Sequence, residues 1–209
     1  MLLGGVTVLA VFTRRVVLLR KENAPALPRK RKKVVEEEVE EKKTRLKRGD
    51  KAKIENLMEK AEVKAGTGKV DEAVKFLVQL LAIDEDHIPA QNKLAMMYMK
   101  KEMYGAAAAL FQRLAELEED AVHYSHLGLA LYQQQDHEGA RAAYQRSVEL
   151  DDSRPARFVS LGQVYRALGQ YQNAIIAVGR AIELEEEGSK LLKDYEGLIK
   201  EIEKEIKEQ

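Results

Sequence analysis

Small residues return in phase along most of this chain. Set against itself at a period near 34 residues, the sequence gives four copies beginning at Ile54, Ile88, Ala121 and Pro155, the second one residue short. Counted from the first residue of each copy, position eight is Ala61, Ala95, Gly128 and Gly162, and position twenty is Ala73, Ala107, Ala140 and Ala174. A period of this length marks a stacked repeat whose units bury apolar faces against one another. Only a small side chain lets two helix backbones approach closely, so both positions are expected where the helices of a hairpin touch. Bulky residues recur where spaces need filling. Position twenty-four is Leu77, Phe111, Tyr144 and Val178, and position thirty is Ile83, Leu117, Leu150 and Leu184. In the last three copies position seven is Leu94, Leu127 and Leu161, and position eleven is Tyr98, Leu131 and Tyr165. Apolar residues three or four apart within the longer period describe helices. The hairpin turn falls at positions fourteen to seventeen, where Gly68 and Gly169 supply positive φ. Pro89 and Pro155 stand in first helical turns, where a missing N–H costs nothing.

These residues resemble the tetratricopeptide repeat (TPR) family. The fourth copy, FVSLGQVYRALGQYQNAIIAVGRAIEL, carries Leu161, Gly162, Tyr165, Gly169, Tyr171, Ala174, Ala181 and Leu184 at family positions, and the third, YSHLGLALYQQQDHEGARAAYQRSVEL, is nearly as close. The resemblance implies an all-α, right-handed α-solenoid of four helical hairpins (54–87, 88–120, 121–154 and 155–187) within a domain spanning 51–187. It also implies a scaffold or adaptor that binds other proteins, and not an enzyme. In the family the first helix of each hairpin lines a concave groove that takes an extended peptide or a helix. Groove-facing side chains are expected at positions two, five, six, nine, twelve and thirteen. From the second copy these include Asn92, Lys93, Met96, Met99 and Lys100; from the third, Ser125, His126, Leu129, Tyr132 and Gln133; from the fourth, Val159, Ser160, Gln163 and Arg166. The methionines can repack around different partners, and equally can fill gaps between neighbouring hairpins.

Departures from the family pattern are informative. Lys60 and Lys64 stand in the first copy where large apolar residues belong, as suits a terminal repeat with no preceding neighbour. The proline expected near position thirty-two is Glu85, Glu119, Asp152 and Glu186, residues expected to N-cap the next helix. One family subgroup grips a C-terminal carboxylate with lysine, asparagine and arginine. Here Met58, Glu62, Val122, Ser125, Ala156 and Ser160 occupy the matching places, so that clamp is absent. Glu55, Glu59 and Glu62 suit a basic segment instead, such as the chain's own Arg29 to Lys33. Residues 188–209 make no fifth repeat: Leu192, Tyr195, Ile199, Ile202 and Ile206 recur every three or four residues, which describes one capping helix with an apolar inner side.

Upstream, residues 1–20 are apolar and 21–50 are a charged linker. A helix over Leu2 to Phe12 spans about 16 Å, roughly half of a ~30 Å hydrocarbon core. Arg14, Arg15, Arg20 and Lys21 follow the apolar run, the wrong order for a secretory signal but the right one for an anchor whose basic side stays in the cytoplasm. One reading is the inner part of a membrane helix that begins upstream of Met1; another is a shallow interfacial or merely sticky segment. Arg29, Lys30, Arg31, Lys32 and Lys33 then suit an anionic membrane surface, a nuclear-import signal or a solubilising charge run. No aromatic residue interleaves them, and Lys+Arg and Asp+Glu number 35 each, so no nucleic-acid partner is expected.

Catalytic chemistry finds little footing. The chain has no cysteine, which removes disulfides, thiolate metal sites and a thiol nucleophile together. AGTGKV at Ala65 to Val70 lacks the leading glycine and trailing hydroxyl of a phosphate loop and reads as a hairpin turn. His123 and His126, with Asp136 or His137, have metal-ligand types but no supporting signature; His126 is expected in the groove and His123 at the surface. No cofactor is expected. Two expectations emerge: a cytoplasmic TPR adaptor tethered to a membrane by its N-terminus, and a soluble structural or self-association module.

Overall fold

A computed structural model describes residues 48–208, so the expectations for residues 1–47 lie outside the described residues. Nine α-helices follow one another there: α1 (Arg48–Gly66), α2 (Val70–Leu81), α3 (Ile88–Lys100), α4 (Tyr104–Leu117), α5 (Ala121–Gln133), α6 (His137–Leu150), α7 (Pro155–Ala167), α8 (Tyr171–Leu184) and α9 (Lys190–Lys207). Ala52–Gln209 is one compact unit. From α2 onward each helix packs on the next in chain order, and α5 also touches α7, the pattern of an all-α solenoid. Among the described residues, no helix is long and apolar enough to cross a membrane.

The small residues of positions eight and twenty mark the closest approaches. A Cβ built on Gly128 would lie 2.7 Å from the Tyr144 ring, and one on Gly162 would lie 2.6 Å from Val178 Cγ2 and 3.2 Å from the Ala174 carbonyl. The glycine of position eight therefore makes room for the bulky residue of position twenty-four. In the first two copies the same place is Ala61 and Ala95, and the residues of position twenty-four are Leu77 and Phe111. Ala61, Ala73, Leu77, Ala95, Ala107 and Phe111 are all buried. Apolar clusters run continuously from hairpin to hairpin: Leu127, Ala130 and Ala143 join Phe111 and Leu114, and Val164 and Ala177 join Tyr144. The last cluster joins Val178 and Ala181 to Tyr195 of α9, with Leu198 and Ile199 against it. The capping helix thus covers the apolar end of the fourth hairpin, which would otherwise face water.

Polar contacts one repeat apart accompany this packing. Lys93 pairs with Glu62, Lys101 with Asp71, Arg113 with Asp86 and Arg146 with Glu119. Arg157 is buried and pairs with Asp151; its Nε–H donates to Ser125 Oγ at 3.3 Å, and Ser147 Oγ lies 2.6 Å from the same oxygen. This guanidinium holds the Asp151 carboxyl well below the usual carboxylate range.

Three expectations are corrected. Glu85, Glu119, Asp152 and Glu186 do not cap the following helices: the neighbouring His87, Asp120 and Ser189 accept the capping N–H groups of α3, α5 and α9, while α7 has no side-chain cap. Glu119 is instead turned toward Arg146. His123 is buried, 6% exposed, because position three of each first helix looks toward the preceding hairpin; Ala90 and Arg157 share that position and that burial. Leu117, in the copy that is one residue short, is 45% exposed, where Leu150 and Leu184 at the same position are half-buried. Gly68 and Gly169 take positive φ as expected, 75° and 69°, and Glu102 and Gln135 adopt 58° and 66° at the same position of the other two copies.

Candidate functional site

The first helices of the hairpins are α1, α3, α5 and α7. Between α1 and α3 lies an open cleft of about 430 Å³, lined by Met58, Glu62, Ala65, Pro89, Asn92, Lys93, Met96, Met97 and Lys100. Asn92, Lys93, Met96 and Lys100 of the expected groove set come together there. Met99 does not; it packs against the core cluster of Phe111 and Leu127. Met58, Glu62 and Ala65 stand at positions five, nine and twelve of the first copy, so the rule used for the later copies would have found them. Met97 carries no groove signal, because its position otherwise faces the core, where it is largely buried.

Further along, Met96, Val122 and Leu129 are 37%, 38% and 39% exposed, apolar side chains at groove positions nine, two and nine. Their hydration is unfavourable, and each would gain from cover. The remaining α5 residues are partly engaged. His126 lies against Phe111 with ring centroids 5.0 Å apart, and burial lowers its pKa, with His123 adding to the effect and Asp120 opposing it. Ser125 is tied to Ser147 and to the Ala121 carbonyl. Tyr132 rests on His137 and on the Tyr144 cluster, and Gln133 is exposed.

On α7, Gln163 is exposed, while Ser160 Oγ donates to the Ala156 carbonyl at 3.0 Å. Val159 packs against the cluster that α9 completes. Arg166 is committed to α9 as well: its Nε–H donates to Glu205 at 2.9 Å and its NH1 to Glu201 at 3.0 Å. Of the expected set, Asn92, Lys93, Met96, Lys100, Leu129, Gln133 and Gln163 line the cleft or face solvent, Met99, Ser125, His126 and Tyr132 are engaged within the repeats, and Val159 and Arg166 meet the cap. Among the described residues no group of three or more metal-ligating side chains comes together. AGTGKV forms the α1–α2 turn, with Thr67 Oγ1 donating to the Val63 carbonyl.

A profile of the tetratricopeptide repeat matches residues 92–155 and 127–189, the span of α3 to α8. This chain is a tetratricopeptide repeat protein. No curated protein matches the TPR chain. Solved structures with a similar fold include a crystal structure of MamA protein, 23% identical over 74% of this chain and 88% of that one, with a TM-score of 0.63. MamA residues 41-end from Desulfovibrio magneticus RS-1 are 23% identical over 63% of this chain and 75% of that one, with a TM-score of 0.61. YrrB, described as a TPR protein with an unusual peptide-binding site, is 21% identical over 60% of this chain and 65% of that one, with a TM-score of 0.54. What these neighbours share with the TPR chain is the solenoid.

Proposed function

We propose that this TPR protein is an interaction scaffold, not a catalyst, that holds a partner protein along the strip formed by α3 and α5 with the adjoining face of α1. The observation that carries the reading is the run of exposed apolar side chains at groove positions, Met96, Val122 and Leu129, beside the methionine-lined cleft. Exposed apolar groups of this kind, rimmed by Asn92, Lys100 and Gln133, suit a short linear segment or an amphipathic helix. YrrB, a neighbour in fold, is itself named for a peptide-binding site.

The test is capture of partners by the full chain and by the variant Met96→Glu with Leu129→Glu. Both side chains are exposed, so stability should change by no more than about 0.5 kcal/mol each. Loss of the captured proteins with an unchanged melting curve is expected; an unchanged set places recognition on another surface. We extend the proposal to location: the apolar run Leu2 to Phe12 followed by basic residues supports a tether on the cytoplasmic face of a membrane, with Arg29 to Lys33 at the anionic surface. Fractionation with and without residues 1–20 decides this, and recovery in the soluble fraction either way removes the tether.

A further inference from the structure

The cleft between α1 and α3 is chemically lopsided. Met58, Met96 and Met97 give it apolar, adaptable walls. Two lysines line the cleft, and Lys93 is paired with Glu62. Lys100 lines the cleft, is exposed, and has no ion pair among the described residues.

We propose that the segment gripped here is an extended, internal stretch of an acidic partner protein. It places one bulky apolar side chain between the methionines and sets an Asp or Glu side chain on Lys100. This rests on the groove reading above and names what the groove selects. Spacing follows from geometry. Met96 and Lys100 are one helical turn apart, about 6 Å along α3, and an extended chain advances roughly 3.3 Å per residue. The carboxylate therefore stands about two or three positions from the apolar anchor. A basic occupant is disfavoured because Lys100 would repel it, while Glu62, the carboxylate of this cleft, is already held by Lys93.

The experiment selects random linear peptides displayed on phage against the immobilised full chain. Enriched sequences are then made with acetylated N-termini and amidated C-termini, so that only side-chain carboxylates are present. Expected is a consensus of an apolar residue with Asp or Glu about two or three positions away. Lys100→Glu should weaken binding about fivefold or more, the ratio given by an exposed ion pair of ~1 kcal/mol, and should switch selection toward Lys or Arg at that position. Absence of any enriched peptide, a consensus without acid, a need for a free C-terminal carboxylate, or equal affinity for Lys100→Glu overturns the proposal. Enrichment of basic peptides on the unaltered chain also overturns it and assigns the cleft to a basic segment. If Met96→Glu abolishes binding while Lys100→Glu does not, this inference falls and the groove reading stands. If neither matters, the groove reading falls too.

Discussion

Position fifteen of every copy closes the first helix in left-handed backbone, yet only two copies spend a glycine on it. Gly68 and Gly169 have φ of 75° and 69°, and Glu102 and Gln135 hold 58° and 66°. A side chain in that region costs about 1–2 kcal/mol through crowding of Cβ against the carbonyl. Glycine removes the crowding but adds backbone entropy to the unfolded chain. The balance predicts that Glu102→Gly and Gln135→Gly each stabilise by about 0.5–1 kcal/mol. An unchanged slope with a higher urea midpoint would show it; an unmoved midpoint would mean the turn is unstrained. At this scale the small residues were readable in the sequence, because Gly128 and Gly162 lie against Tyr144 and Val178 as their spacing requires. The turn was half readable, since nothing in Glu102 or Gln135 announces positive φ. Arg157 and His123 were not readable at all: burial of a charged or titratable group depends on partners such as Asp151 and Ser125, which lie elsewhere in the sequence.

At the scale of elements, α9 shows how the last hairpin is finished. Its apolar side carries Tyr195 and Ile202, both buried, and its opposite edge supplies Glu201 and Glu205 to Arg166. The two effects differ in size. Exposed ion pairs contribute about 0–1 kcal/mol, whereas truncating a buried isoleucine to alanine costs about 2–5 kcal/mol. Ile202→Ala should therefore lower the melting temperature markedly, and Glu201→Gln with Glu205→Gln only slightly. If the double variant proves the more damaging in a thermal melt, charge rather than apolar cover holds the cap in place. That the helix exists and which side it buries followed from a period of three or four residues. That it would take Arg166 away from the groove did not, because the pairing joins residues on elements whose relative placement the pattern leaves open.

For the whole molecule, stability in a solenoid is set largely at junctions between hairpins. Two of the titratable groups there have shifted pKa values that bear on stability. His126 of α5 lies against Phe111 of α4, and burial lowers its pKa below the ordinary 6.5. The unfolded chain then takes up a proton more readily than the folded one, so stability is complete above about pH 6.5 and declines as pH falls below it. Asp151 is shifted downward by Arg157, and its contribution is present above the unfolded carboxylate range and lost only in stronger acid. The windows are separate. Between pH 7.5 and 5, chemical denaturation should show a loss of stability that is smaller in His126→Gln; an identical loss in the variant would mean that another group titrates.

The contacts that bridge neighbouring hairpins also bear on how near-copies avoid being confused with one another. Arg113 with Asp86 and Arg146 with Glu119 repeat one motif across two successive junctions. Lys93 with Glu62 does not recur: the residue matching Lys93 is His126 in the third copy and Ser160 in the fourth, and neither is a ready mate for Glu62. A chain that skipped its second hairpin while folding would satisfy the generic rung and leave the individual one open. The units are in effect serially numbered, and their order is written in side chains that do nothing for the core.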